Sequence, residues 1–238
     1  MIRILVHGAG RMARRVLARL PDYPGFELLG VVSRQRPRDE LGAAWYAGLA
    51  ELDATADLLI DFTLPGGTAM AARWCARNKV ALLSGTTGLR DDDKAALTEA
   101  AREIPVLWAP NMSHGVALMT ALVRQAARAV DIGAAVAVTD RHHVHKLDAP
   151  SGTALALAAA VREGRLANAG ADPVISSVRE GEVIGEHTVR FDMGDEVLEI
   201  THRALDRDVF ASGALKAGQW LVKQPPGHYS TGDWLGLG

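Results

Sequence analysis

At 238 residues, 48% hydrophobic and 23% charged, the chain has the composition of a folded globular protein and the length for one large domain or two modest ones, which excludes a disordered tract. A formal net charge of −2 offers no basic surface for a nucleic-acid partner, and a single cysteine, Cys75, excludes an intrachain disulfide and fits a reducing compartment. The apolar core of the opening MIRILVHGAG is too short for a signal peptide and no run has the roughly 18 apolar residues of a membrane span, so a cytoplasmic protein without a membrane partner is expected.

Along the first half, short apolar segments alternate with segments of helical period. Ile2 to Val6, Leu28 to Val32, Leu58 to Asp61, Val80 to Leu83 and Pro105 to Trp108 read as strands, and Met12 to Leu20, Thr68 to Arg77 and Asp91 to Arg102 as helices between them. That alternation predicts α/β architecture, a Rossmann-like doubly wound parallel sheet whose ligands bind beyond the carboxyl ends of the strands. The residues at those ends are Gly8-Ala9-Gly10, Ser33-Arg34, Phe62-Thr63, Gly85-Thr86-Thr87-Gly88 and Ala109-Pro110-Asn111. All five ends offer small residues, backbone N–H groups or hydrogen-bonding side chains on one rim.

Gly8-Ala9-Gly10-Arg11-Met12-Ala13 fits the dinucleotide fingerprint GxGxxG/A. The first glycine permits the turn, the second lets the backbone approach a pyrophosphate, and a small third residue lets helix and strand pack closely. Glycine and alanine also serve tight turns for purely structural reasons; the position straight after an N-terminal strand and before an amphipathic helix favours the nucleotide. At the end of the second strand, where NAD-binding folds place an acidic residue, stands Ser33, followed by Arg34, Arg36 and Arg38. A carboxylate would repel a 2′-phosphate, whereas arginine binds one, so NADPH is expected to be favoured, or tolerated as well as NADH. A solvated basic loop is the other reading of these arginines.

The second half changes character. Val116 to Val130 reads as a helix, and Ala135 to Thr139, Val174 to Arg179, Glu186 to Phe191 and Val197 to Arg203 as strands, with Met193-Gly194-Asp195-Glu196 as a hairpin turn. A second α+β domain with a mixed or antiparallel sheet follows, and its sparse helical cover leaves a face or edge that oligomers bury. Between the first two of these strands lies HHVHKLDAPSGTA, residues 142–154. His142 and His143 exchange protons near neutral pH, Lys146 donates a proton or holds an anion, and Ser151-Gly152-Thr153 open the helical run ALALAAAV with free backbone N–H groups suited to a carboxylate. The stretch reads as a site for a small acidic molecule that undergoes proton transfer. His142, His143 and His145 raise the question of zinc, but successive residues on a strand point to opposite faces and no Cys or HExxH framework accompanies them, so no metal is expected. The run Gly213 to Val222 is again helical and is expected to return to the first domain, giving residues 1–112 with 214–238 as the dinucleotide-binding domain and 113–213 as the substrate-binding and oligomerisation domain.

These motifs also resemble the 4-hydroxy-tetrahydrodipicolinate reductase family, also called dihydrodipicolinate reductase, of diaminopimelate and lysine biosynthesis. The resemblance covers nearly the whole chain: HHVHKLDAPSGTA is its most specific part, supported by GAGRM near the start, DFT at 61–63, GTTG at 85–88, APNMSHGV at 109–116, GEHT at 185–188 and the segment 200–221. It implies an NAD(P)H-dependent oxidoreductase that reduces 4-hydroxy-tetrahydrodipicolinate to tetrahydrodipicolinate, with NADPH and/or NADH as cofactor and a small dicarboxylate as substrate. It further implies His142 as catalytic proton donor or acceptor, Lys146 as proton donor, and His143 with the Ser151, Gly152 and Thr153 helix start as holders of substrate carboxylates. Gly8, Ala9, Gly10, Arg11, Met12, Ser33, Arg34, Phe62, Gly85, Thr86, Thr87, Ala109, Pro110, Asn111 and Met112 become candidate cofactor contacts, and a homotetramer joined through the second domain's sheet is implied. Ala13, Ser33, Met112 and Asp140 depart from the commoner pattern, in which Gly, an acidic residue, Phe and Glu are frequent. From the residues themselves, another nicotinamide-dependent dehydrogenase of a small acidic substrate and a noncatalytic NADP-binding sensor remain alternatives.

Overall fold

The computed structural model describes residues 1–37, 42–52, 56–131, 133–165 and 170–237, so Arg38 lies outside the described residues. The chain divides into two compact units, Met1–Ser113 with Asp208–Gly236, and His114–Arg207.

The first unit is built on a seven-stranded sheet. Its strands are β1 (Ile2–His7), β2 (Phe26–Val32), β3 (Trp45–Tyr46), β4 (Leu58–Asp61), β5 (Ala81–Ser84), β6 (Pro105–Trp108) and, from the C-terminal segment, β11 (Gly227–Tyr229). Their order is β11-β6-β5-β4-β1-β2-β3 and every pairing is parallel. Both faces are covered, which is why the strands are nearly continuous apolar runs. Ile4, Val6, Leu58, Ile60, Leu83 and Leu107 turn to one face and pack on α1 (Arg11–Arg19) and α6 (Asp208–Leu221). Their neighbours Leu5, Leu59, Leu82 and Val106 turn to the other, under α2 (Gly67–Asn78) and α3 (Asp91–Ala100). The strand order reverses at β1, so the Gly8-Ala9-Gly10 turn sits at the topological switch point, where such sheets open a crevice.

Five short elements were not expected among the described residues: β3, β11, α7 (Thr231–Leu235) and the 3₁₀ turns Leu20–Asp22 and Leu49–Glu51. Two- and three-residue edge strands carry no readable period; β3 is fixed by Val31 and Ser33 amides donating to the Ala44 and Tyr46 carbonyls, and β11 by its register with β6. The C-terminal return begins at Asp208, ahead of residue 214, because α6 is one continuous helix that buries Ala211, Ala214, Leu215 and Leu221 against the sheet.

The second unit holds α4 (His114–Ala129), β7 (Ala135–His142), α5 (Gly152–Gly164), β8 (Val174–Arg179), β9 (Glu186–Asp192) and β10 (Val197–Arg203). Its sheet runs β10-β9-β7-β8, with β7 and β8 parallel and the other pairings antiparallel. Val136, Val138, Val189 and Phe191 meet Met119, Val123, Leu157 and Val161 of the two helices in a single core. β7 extends beyond the expected end at Thr139 to His142, and its alternation carries Val136, Val138, Asp140 and His142 along the same buried face. The buried side of this strand therefore begins in hydrocarbon and ends in titratable groups.

The two helices of this unit approach closely at Gly164, where a Cβ would stand 2.4 Å from the Arg124 carbonyl oxygen and 2.7 Å from the Ala127 methyl. Gly164→Ala is expected to push α4 from α5 and lower unfolding free energy by about 1–3 kcal/mol, measured by urea denaturation. A stability equal to or above that of the native chain would contradict this packing.

Candidate active site

At the rim of the first unit, Gly8 has φ 109°, and a Cβ there would lie 2.7 Å from the Phe62 carbonyl oxygen, so only glycine fits. Gly10 starts α1 without any side-chain cap, and a Cβ on it would meet nothing within 4 Å. The first turn of α1 thus offers backbone N–H groups to an open surface, the arrangement that suits a pyrophosphate. Arg11 is exposed, while Ala9 and Met12 are partly buried against the core.

The adjacent strand ends are tied together by Asp61. Its carboxylate is wholly buried and accepts from the hydroxyls of Thr63 at 2.7 Å, Thr68 at 2.7 Å, Ser84 at 2.8 Å and Thr86 at 3.1 Å, with His7 Nδ1 at 3.2 Å. Burial alone would raise this carboxyl, but His7 and the threonine hydroxyls outweigh it and hold Asp61 below the usual carboxylate range. The GTTG loop is further pinned by Trp108 Nε1, which donates to the Thr86 carbonyl at 3.0 Å. A Cβ at Gly85 would fall inside the Phe62 ring, at 2.1 Å, so Phe62 lies directly on that glycine, leaving Thr87 exposed at the loop's edge. Ala109 is buried, Pro110 exposed, and Asn111 accepts the Ser113 amide at 2.8 Å. Met112 is 1% exposed within the hydrophobic core, so it supports this loop from beneath.

After β2, the Ser33 hydroxyl donates to the Gln35 carbonyl at 2.8 Å and receives Trp45 Nε1 at 3.1 Å. Arg34 is exposed, and the Arg36 guanidinium lies 5.8 Å from the centroid of the Trp45 ring, a cation–π contact. The unforeseen strand β3 supplies this ring, so it shapes the loop that carries the arginines.

In the second unit, Asp140 is the counterpart of Asp61. It is wholly buried; Oδ2 accepts from the Ser151 amide at 3.0 Å, Arg179 Nη2 at 3.0 Å and the Ser177 hydroxyl at 3.2 Å, and Oδ1 lies 2.8 Å from His142 Nδ1 and 3.4 Å from His187 Nε2. Burial works to raise Asp140, yet the Ser151 and Arg179 donors hold it below the ordinary carboxylate value. The His142 ring stands edge-on to that of His187 at 5.2 Å. Burial depresses both imidazoles, His187 to about 4, while the Asp140 charge opposes the shift.

Ser151 caps α5, its hydroxyl accepting the Ala154 amide at 3.2 Å, and it is itself buried beside His187 Nε2 at 3.2 Å. Gly152 is exposed and Thr153 half-buried, so these two present the start of the helix. Lys146 Nζ donates to Asp148 at 2.7 Å, and His143, the first residue past β7, meets Arg207 Nη2 through Nε2 at 3.0 Å. The structure thus brings His142 and the Ser151 helix start together through one carboxylate.

Asp140, His142 and His187 each present a ligand atom within 4.8 Å of the others, a grouping that could hold a metal. The guanidinium of Arg179 on the same carboxylate disfavours a further cation there, and proton exchange is the chemistry the grouping supports better. Asp140, Arg179, Gly185 and His187 escaped sequence reasoning as site residues. Asp140 had a signal, since it precedes His142 by two on the same strand face; Arg179 comes from β8, Gly185 from just before β9 and His187 from β9 itself, and although GEHT at 185–188 fits the family pattern, nothing local ties it or Arg179 to His142.

Family models described as the N-terminus and the C-terminus of dihydrodipicolinate reductase match residues 2–112 and 115–235. A 4-hydroxy-tetrahydrodipicolinate reductase of Xanthomonas campestris pv. campestris is 41% identical over 236 residues, covering 98% of this chain and 97% of its own. One from Alkalilimnicola ehrlichii is 40% identical over 261 residues, covering 98% of each. Among solved structures, a dipicolinate-bound dihydrodipicolinate reductase from Paenisporosarcina sp. TG-14 is similar, with a TM-score of 0.82, 25% identity and 97% of both chains covered.

The depressed His187 imidazole links stability to pH. The group is neutral when folded, with a value of about 4, and has an ordinary value of 6.5 when unfolded, so its contribution is complete above about pH 6.5 and is lost as pH falls toward 4. The expected loss across that window is about 3 kcal/mol, measured by urea denaturation at several pH values. His187→Asn should flatten the dependence; an unchanged slope would show that His187 is not its source.

Proposed function

This chain belongs to the dihydrodipicolinate reductase family, and on that footing we propose the residue roles through which it works. The protein is an NAD(P)H-dependent oxidoreductase of diaminopimelate and lysine biosynthesis that reduces 4-hydroxy-tetrahydrodipicolinate to tetrahydrodipicolinate. Substrate and product differ by a hydroxyl replaced with hydrogen, so turnover consumes a hydride and a proton and releases water. NADPH or NADH, when bound, supplies the hydride.

The observation that carries the assignment is the contact of one buried carboxylate, Asp140, with both the His142 imidazole and the amide that opens α5. We assign His142 as the group that donates or accepts the proton and Lys146 as a second proton donor. The Gly152 and Thr153 amides, on a helix start shaped by Ser151, hold one substrate carboxylate, and His143 assists the other. In the first unit, Gly8, Ala9, Gly10, Arg11 and Met12 form the pyrophosphate turn, and Ser33 and Arg34 meet the adenosine end. Phe62, Gly85, Thr86, Thr87, Ala109, Pro110 and Asn111 line the nicotinamide end, with Met112 bracing from below. This divides the labour between a dinucleotide domain, residues 1–112 and the C-terminal return, and a substrate domain within 113–213.

We further infer a cytoplasmic homotetramer joined through the uncovered face of the second unit's sheet. That face carries Ala137, Thr139, Thr188 and Thr201 in register across three strands, with the exposed apolar Val174 and Val197 at its margins. Cys75 is buried and needs no oxidising surroundings, and no described helix is long and apolar enough to cross a membrane.

His142→Gln and Lys146→Ala are each expected to lower kcat by about 10²- to 10⁴-fold while leaving NADPH affinity nearly unchanged, followed by NADPH oxidation with 4-hydroxy-tetrahydrodipicolinate and by fluorescence titration of the cofactor. Intact turnover with lost cofactor binding would reverse the assignment. Arg34→Asp should lower kcat/KM for NADPH by roughly tenfold or more relative to NADH. An unchanged ratio of the two would detach Arg34 from cofactor choice.

A further inference from the structure

We propose that Asp140 is the positioning residue of the proton transfer: its carboxylate holds the His142 ring with Nδ1 turned inward and Nε2 turned toward space that Gly185 leaves open, and it fixes that ring against the start of α5. The inference deepens the reading of His142 as the proton-transfer group and rests on it.

The two oxygens of Asp140 have different partners. Every neighbour of Oδ2 is a donor: the Ser151 amide, the Arg179 guanidinium and the Ser177 hydroxyl. Oδ1 faces imidazole nitrogens, His142 Nδ1 at 2.8 Å and His187 Nε2 at 3.4 Å. A carboxylate beside Nδ1 draws the proton of a neutral imidazole to that nitrogen, leaving Nε2 as the atom that exchanges protons. The same carboxylate stabilises the ring when it is charged, against burial and the positive charges of Lys146 and Arg179, while Asp148 adds a second, weaker negative influence.

Gly185 completes the arrangement. It is buried, yet it is not among the glycines with positive φ, so its backbone does not require glycine. A Cβ there would lie 3.1 Å from His142 Nε2 and 3.5 Å from Cδ2. The missing side chain is therefore explained by the space it leaves over the exchanging nitrogen. His187 closes the side of the His142 ring, and the Ser151 amide joins the same carboxylate to the helix start, so the distance between the proton and the substrate-binding N–H groups is set by one rigid group.

Asp140→Asn tests this sharply. The carboxamide oxygen can take the Oδ2 position, keeping its three donors, which turns the NH2 group toward His142 and forces the proton onto Nε2. Long-range ¹H–¹⁵N spectra of the histidine rings are expected to show His142 protonated on Nδ1 in the native protein and on Nε2 in the variant. kcat should fall by about 10²- to 10⁴-fold, with KM and NADPH affinity changed less than about threefold, and Asp140→Glu should recover much of the loss. Gly185→Ala leaves the carboxylate network in place and should lower kcat at least about tenfold with the Nδ1–H form retained, so the inference stays testable if the asparagine variant does not fold. An unaltered tautomer in Asp140→Asn, or undiminished kcat in either variant while His142→Gln is inactive, would overturn the role of Asp140. Full turnover in His142→Gln would instead overturn the reading beneath it.

Discussion

A carboxylate with no access to water must find its hydrogen bonds within the protein, and each unit of this molecule is organised around one that does. Asp61 and Asp140 are both wholly buried at or near the C-terminal end of a central strand. An unpaired charge there would be prohibitive, so the surrounding backbone must deliver donors to fixed points. Asp61 gathers the ends of β1, β4 and β5 and the first turn of α2 through His7, Thr63, Ser84, Thr86 and Thr68. Asp140 gathers β7, β8, β9 and the start of α5 through His142, Arg179, His187 and Ser151. The groups around each charge stand on the strand ends, helix starts and adjoining loops that carry the candidate site. Fold stability and site geometry are thus one constraint: shifting any of these elements strands a buried anion.

Glycine plays the complementary part, keeping space empty where the carboxylates fix position. Gly8 is needed for its left-handed backbone and for its contact with the Phe62 carbonyl, and Gly85 because the Phe62 ring lies on it. Gly10 and Gly152 differ, since a Cβ on either would meet nothing within 4 Å. Both stand at helix starts, where the absent side chain leaves the N–H groups approachable from outside. One pair lets the protein pack against itself; the other leaves room for something else.

What could be read from the sequence follows the range of the interactions involved. The parallel sheet, its helices and the Gly8 turn were readable because apolar runs and a glycine fingerprint are local signals. His142 is buried at the end of β7, whereas His143 already lies beyond the strand and is only half-buried. The edge strand at Trp45–Tyr46 was not readable, because two residues have no period and the pairing depends on carbonyls of Ala44 and Tyr46 meeting β2. The buried networks were hidden for the same reason. Asp61 reaches Ser84 and Thr86 across more than twenty positions, and Arg179 and His187 arrive at Asp140 from strands about forty residues onward. Nothing in GEHT by itself says that its glycine faces an imidazole nitrogen; that follows only from the register of β9 beside β7.

Two cations of the second unit differ in how firmly their carboxylate partners must be kept. Arg179 is committed to buried Asp140 and to the Asp148 carbonyl, so removing it would expose a charge the fold must keep paired. Among the described residues, Lys146 pairs only with the Asp148 side chain, which is 59% exposed, and ion pairs with a solvated partner contribute about 0–1 kcal/mol. Separating this pair therefore costs little, since Asp148 returns to water. The two cations differ in their partners and hardly in their own exposure: Arg179, 18% exposed, is held by a carboxylate that water never reaches, and Lys146, 23% exposed, by one that water reaches freely.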